Sequence, residues 1–148
     1  MTTHRTPTTG EGDGPARTLG RVLLGGFLAF AGTSHLTFAR EEFQAQVPSW
    51  VPVGTDLVVV GSGVVEIALG TALVVAPRRY RPWVGAAAAA FFVAVLPGNV
   101  AQYVERNDGF GLDTDAKRLA RLPFQGVLVL WALWSTGAWR AWRGRRRA

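Results

Sequence analysis

The sequence predicts an all-α fold, an integral membrane up-down-up-down four-helix bundle, and three observations carry that expectation. Hydrophobic residues make up 49% of the 148, and they gather into blocks instead of alternating with polar residues. Four blocks, Val22 to Ala39, Leu57 to Pro77, Pro82 to Val104 and Leu122 to Trp139, reach the roughly 18 residues that a spanning helix needs. Among Asp, Glu, Lys and Arg, only Glu66 lies inside any of them.

Charge sets the expected topology. The segment before the first block carries Arg5, Arg17 and Arg21, and the first loop carries Arg40 beside Glu41 and Glu42. The second connection is the basic Arg78-Arg79-Tyr80-Arg81, whereas Glu105 to Arg121 mixes both signs, and the chain ends in Arg140, Arg143 and Arg145 to Arg147. Basic segments alternate with mixed ones, so the positive-inside rule puts both termini in the cytoplasm. The sequence pI of about 11.2 then has a membrane explanation, and nucleic acid is not expected as a partner.

Taken in order, residues 1–16 are rich in Thr, Gly and Pro without apolar periodicity and read as a disordered cytoplasmic tail. A transmembrane domain is expected over 17–142, with spans near 18–39, 56–77, 82–104 and 120–140, and a basic cytoplasmic tail over 143–148. The first span has small residues at Gly25, Gly26, Ala29, Ala31 and Gly32, which permit close helix contact. Ala29-Phe30-Ala31 resembles a signal-peptide cleavage site, but the apolar run continues past it and three further blocks follow, so a retained span is expected.

The first outer loop holds Val47-Pro48-Ser49-Trp50-Val51-Pro52, where two prolines bar a regular helix and the tryptophan suits the headgroup region. Asp56 is expected to N-cap the second span. In the third span, Pro97-Gly98-Asn99 predicts a kink. The fourth is expected to start near Leu122-Pro123, to carry Gln125, and to end among Trp131, Trp134, Trp139 and Trp142.

Glu66 is the residue that most needs a reason, because a carboxylate at membrane depth costs a few kcal/mol on insertion scales, roughly 2.5–3.5. Ser62, Glu66 and Gly70 form an i, i+4, i+8 stripe, with Gly63 adjacent, so the acid shares a face with the smallest residues of its helix. That face belongs inside the bundle. At about 1.5 Å per residue, His35 falls in the outer third of the first span, Glu66 near the midplane, Asn99 in the outer third of the third span, and Gln125 in the first turns of the fourth. Gln102, Tyr103 and Arg106 are expected to continue the face of Asn99. These positions predict a polar cavity between the helices, opening outward, in which His35, Asn99 and Gln125 are the partners of Glu66. The bland alternative makes Asn99 and Gln125 interhelical hydrogen-bonding groups and Trp50 a membrane anchor.

Several chemistries are disfavoured. Cysteine is absent, which removes disulfides, thiol redox chemistry and Cys-ligated iron–sulfur clusters. A single membrane histidine cannot ligate a haem on both faces, and the sequence has no HExxH and no phosphate-binding glycine loop. No haem, iron–sulfur or metal site is therefore expected, and no catalytic motif is self-contained. A Glu–His pair is suited to exchanging protons with a quinol or a similar small amphipathic ligand stacked on Trp50, Phe43 or Tyr103.

The residues Ala31-Gly32-Thr33-Ser34-His35, the Pro48 to Pro52 loop, Gly61-Ser62-Gly63-Val64-Val65-Glu66-Ile67-Ala68-Leu69-Gly70, and Leu96-Pro97-Gly98-Asn99 together resemble the DoxX-like family of small bacterial membrane proteins. The resemblance runs from about Gly25 to Gln102. One departure is that Leu36, not Phe, follows the motif histidine. The resemblance implies a multi-pass four-helix protein of the bacterial cell membrane associated with oxidoreductase systems, as an accessory subunit with quinone as the candidate ligand. Its other implication is a non-enzymatic scaffold or assembly factor that engages a membrane or extracytoplasmic protein partner. The lipid bilayer is a partner under either, and an oligomer is compatible with both.

Overall fold

The computed structural model describes residues 13–145. Most of the expected N-terminal tail and the last residues of the basic tail lie outside that range. Where the tail is described it is already tied down, since Asp13 takes an ion pair from Arg81 at 2.5 Å and helix begins at Pro15. Proline suits a first helical position because its missing N–H had no partner there anyway.

The described chain is all-helical: α1 (Pro15–Leu36), α2 (Arg40–Gln44), α3 (Thr55–Val75), α4 (Arg81–Val104), α5 (Asp115–Ser135) and α6 (Ala138–Arg145). Three of these, α1, α3 and α4, are long and apolar enough to cross a membrane. The long α5 differs in composition. Thr114 caps it by accepting from the Lys117 backbone N–H at 3.4 Å, so the helix begins at Asp115 and not near Leu122, with a charged first turn. It continues through Pro123 and ends at Ser135, because Gly137 turns the backbone left-handed at φ 73°. Its uncharged part, 122–135, is about 14 residues, or ~21 Å of helix, and Trp139 and Trp142 belong to the separate helix α6.

Two other expectations change locally. Asp56 sits in the first turn of α3 without capping it; Gly54 holds the cap position, and Asp56 instead takes an ion pair from Arg40. The short helix α2, absent from the sequence reading, follows α1, which stops at Leu36. The Pro48 to Pro52 segment is non-helical, as its prolines require. Helix α4 runs unbroken through Pro97, which leaves the Val93 carbonyl without its usual helical donor.

The tightest packing is between α1 and α3. They run antiparallel, so that Gly25 faces Gly70 and Gly32 faces Gly63. A Cβ on Gly70 would lie 2.5 Å from the Gly25 carbonyl oxygen, and one on Gly25 would lie 2.7 Å from that of Gly70. Only glycine allows backbones this close. Gly26, expected to permit close contact, and Gly61 have open space around them and take no part in the seam. Leu24, Leu28, Leu73, Ala88, Phe92, Leu128 and Ala132 close the core where all four long helices meet.

Polar contacts fix the register. Trp131 Nε1 donates to the Gly20 carbonyl at 2.9 Å, joining α5 to α1, and Gln125 Nε2 donates to the Phe92 carbonyl at 3.1 Å, joining α5 to α4. Arg21, expected in the cytoplasmic flank, is instead buried in α1 and donates to the Leu73 and Val74 carbonyls in the last turn of α3. Those carbonyls have no intrahelical donors and carry the negative end of the helix dipole, which suits a cation. The outer surface is apolar along the same helices, at Leu19, Leu23 and Phe30 of α1, Val64 and Val75 of α3, and Val93 of α4.

Candidate functional site

The close α1–α3 seam puts His35 and Glu66 beside each other. Gly63, one turn before Glu66, lies against the His35 Cβ, so the absence of a side chain there lets the imidazole settle over α3. His35 Nδ1 comes within 3.1 Å of Glu66 Oε2, and both side chains are buried. The same Nδ1 is 2.8 Å from the Ala31 carbonyl one turn back on α1. A carbonyl oxygen can only accept, so Nδ1 carries the proton and donates it to Ala31. Glu66 Oε2 is left buried with no hydrogen-bond partner, next to a donor already committed elsewhere.

Glu66 is one of the residues that line a cavity of about 730 Å³. The cavity opens because α3 and α4, though consecutive, pack weakly, while α1–α3 and α4–α5 form the two tight pairs. Glu66, Ser62 and His35 line one side, Asn99 the next, and Gln125 with Arg121 the third. The remaining wall is largely apolar and aromatic, with Phe27, Phe30, Phe92 and Phe124 among its residues.

The segments that join α1 to α3 and α4 to α5 roof it. The His35 ring stacks on Phe43 of α2 with centroids 3.3 Å apart, Phe110 meets Phe43 edge-on at 4.6 Å, and the Arg121 guanidinium sits 5.7 Å over Phe110. Gln46 reaches in from the same loop, and its Nε2 is buried without an acceptor. Its backbone carbonyl passes so near Gly98 that a Cβ there would be 2.6 Å away, which explains a glycine after Pro97. The roof is tied to α4 by Glu105, which accepts from the Ser49 hydroxyl at 2.8 Å and from its backbone N–H at 3.3 Å. Those bonds hold the Glu105 carboxyl below its ordinary range. Glu42 likewise accepts from the Phe110 backbone N–H at 2.5 Å.

The six residues singled out by sequence thus separate into groups. His35 and Glu66 are in direct contact. Asn99 and Gln125 share the cavity wall, but neither hydrogen-bonds to Glu66, and the Gln125 amide goes to the α4 backbone. Trp50 is on the rim and 69% exposed. Tyr103 is not on the wall. Four residues on at about 100° each, Tyr103 is turned some 40° from Asn99, and Gln102 takes the buried place, accepting from Arg121 Nη1 at 3.0 Å. Arg106, expected on that face as well, lies past the end of α4 at φ 57°, where helical spacing no longer applies.

Sequence reasoning missed Gln46 and Arg121. Gln46 has no signal in the sequence beyond preceding Val47-Pro48, and Arg121 looks like loop charge unless the helix starts as early as Asp115. No group of three His, Asp or Glu residues close enough to hold a metal occurs among the described residues.

The protein is all-helical among its described residues, with membrane-compatible helices and, between two helix pairs, a partly roofed cavity whose wall is mostly apolar and not polar as the sequence suggests, with Glu66, His35, Asn99, Gln125 and Arg121 as its polar members. The chain belongs to the family described as Domain of unknown function (DUF8561), whose model matches residues 24–136. That range runs from within α1 to the end of α5 and includes every residue that lines the cavity around Glu66. Neither the curated proteins nor the solved structures contain a match.

Proposed function

We propose that this chain is a DoxX-like integral membrane protein, an up-down-up-down four-helix bundle with both termini cytoplasmic, whose outer-half cavity binds quinone or a similar small ligand for a membrane redox system. One observation supports this above the rest: Glu66, whose Oε2 is buried beside His35 without a hydrogen bond of its own, belongs to the wall of a cavity rich in aromatic residues. An orphaned buried acceptor costs about 1–3 kcal/mol unless something donates to it, so a ligand donor at this point offsets a standing penalty.

The rest of the cavity suits an aromatic ring with polar edges. Its volume falls in the ~300–1,000 Å³ usual for small-molecule sites. Glu66 Oε2 suits a ligand hydroxyl and Gln46 Nε2 a ligand carbonyl, while Phe27, Phe92 and Phe124 suit the ring. A quinone supplies coupled electron and proton transfer when bound. The part of this chain's residues is to accept a proton at Glu66, to hold His35 Nδ1–H in place through Ala31, and to exclude water with the Phe43–Phe110 roof.

The test is to purify the protein in mild detergent, extract small molecules and identify them by mass spectrometry. Wild type is expected to carry an isoprenoid quinone or a related lipophilic ring compound that Glu66→Gln lacks. Wild-type protein with no extractable quinone and no binding of a quinone analogue would end the redox reading.

A second reading, a membrane scaffold or assembly factor, is favoured by the exposure of Trp50 at 69% and Val53 at 46% on the outer loop. Site-specific photocrosslinking from Trp50 to a defined protein partner, with Glu66→Gln lowering stability and releasing no ligand, would select it.

A further inference from the structure

At the other end of the molecule, two arginines converge where α5 breaks into α6. An idealised Cβ on Gly137 would lie 3.9 Å from Arg17 Nη1 and 3.9 Å from Arg140 Nη2, so the two guanidinium groups approach the same point from α1 and α6. Both line a second cavity of about 260 Å³, together with Leu130, Leu133, Trp134 and Trp139. Arg17 Nη1 is buried and has no hydrogen-bond partner. Neither arginine forms an ion pair among the described residues.

The neighbouring arginines are placed differently. Arg143 rests over the Trp139 ring at 5.0 Å, Arg145 over Trp83 at 4.9 Å, and Arg21 is spent on the α3 carbonyls. Two like charges that line one small cavity repel, and a buried guanidinium N–H without an acceptor adds a desolvation cost. An anion with several acceptor oxygens removes both penalties, and phosphate is the anion that two arginine forks match best. The tryptophans and leucines beside it are suited to whatever carries that phosphate.

We propose that the Arg17–Arg140 cleft is a binding site for a phosphate group, carried by an anionic phospholipid or by a small soluble phosphate. The site is distinct from the outer cavity and does not depend on that cavity having a ligand.

The test uses full-length protein, delipidated in detergent and titrated by native mass spectrometry with phosphatidylglycerol, phosphatidylcholine and glycerol phosphate. Phosphatidylglycerol is expected to bind at least about tenfold more tightly than phosphatidylcholine, and R17Q/R140Q to lose that preference. R143Q/R145Q removes the same charge nearby and is expected to keep it. Glycerol phosphate that binds alone and displaces the lipid identifies a soluble phosphate as the ligand, whereas lipid binding without it identifies the headgroup in its membrane. Wild-type preference retained by R17Q/R140Q, or equal loss in R143Q/R145Q, overturns the site. If R17Q/R140Q does not fold, R140Q alters an exposed side chain alone, and an unchanged preference there overturns it equally.

Discussion

Two neighbouring stripes on one side of α3 show opposite solutions to packing a helix among apolar neighbours. On one, Gly63 and Gly70 let α1 come into backbone contact, and Leu73 seals the seam below them. On the other, Glu66 and Ser62 line a space of about 730 Å³ that α4 does not close. The closed stripe holds α1 to α3 by close backbone contact, to which Arg21 adds hydrogen bonds at the last turn of α3. The open stripe keeps a polar atom unsatisfied. What separates them is the presence of glycine every seventh residue on one stripe, Gly63 and Gly70 matching Gly32 and Gly25, and its absence from the partners of the other.

The largest expected effect tests the closed stripe. Gly32→Leu pushes a side chain into the Gly63 carbonyl and Ile67, and is expected to cost about 3 kcal/mol or more. Gly26→Ala and Gly61→Ala, with open space around them, are expected to stay within about 0.5 kcal/mol of wild type. Thermal unfolding in detergent decides it; Gly32→Leu melting like Gly26→Ala would mean that the seam is loose.

Arg21→Met comes next, with an expected loss of about 1–2 kcal/mol, because it removes the charge and both donors from the C-terminus of α3. Equal stability of Met and wild type in the same unfolding assay would show the guanidinium to be dispensable there.

Glu66→Gln sharpens the contrast from the open side. Replacing a buried carboxylate whose Oε2 has no hydrogen bond with a neutral amide removes a desolvation cost, so stability is expected to hold within about 1 kcal/mol or rise. A clear drop would mean that Glu66 supports the fold as the seam glycines do.

The smallest effect is a pH response of the roof. The Ser49 bonds depress the Glu105 pKa, so their contribution is fully present above the ordinary carboxylate pKa and is lost as pH falls through the depressed one. Trp50 fluorescence, taken as the difference from Trp50→Phe, is expected to change over that acid range. Ser49→Ala removes the hydroxyl donor and is expected to move the transition to higher pH; an unmoved transition would exclude Ser49 as its cause.

Much of this could be read in the chain. The length and composition of the apolar blocks anticipate α1, α3 and α4, and helical periodicity puts Glu66 on the glycine face. The contact between His35 and Glu66 follows from an antiparallel first pair. Helical spacing failed where a helix starts or stops, at Thr114, Gly137 and Arg106, because capping and backbone reversals depend on single residues and not on periodicity. Arg21 was misplaced for a related reason. Its sequence context is that of a membrane flank, and only the close approach of α1 to α3 offers it the carbonyls that allow burial.

By itself, then, the sequence determined helix type, the small-residue face and the candidates for a polar site among apolar helices, since these depend on composition and on spacing within one helix. Tertiary structure alone decided that α3 closes on α1 but stays open to α4, that Gln125 serves the backbone while Gln46 turns inward, and that Arg17 meets Arg140. Those outcomes depend on how far apart separate helices sit, a distance set by glycines on both partners at once, which no single segment encodes.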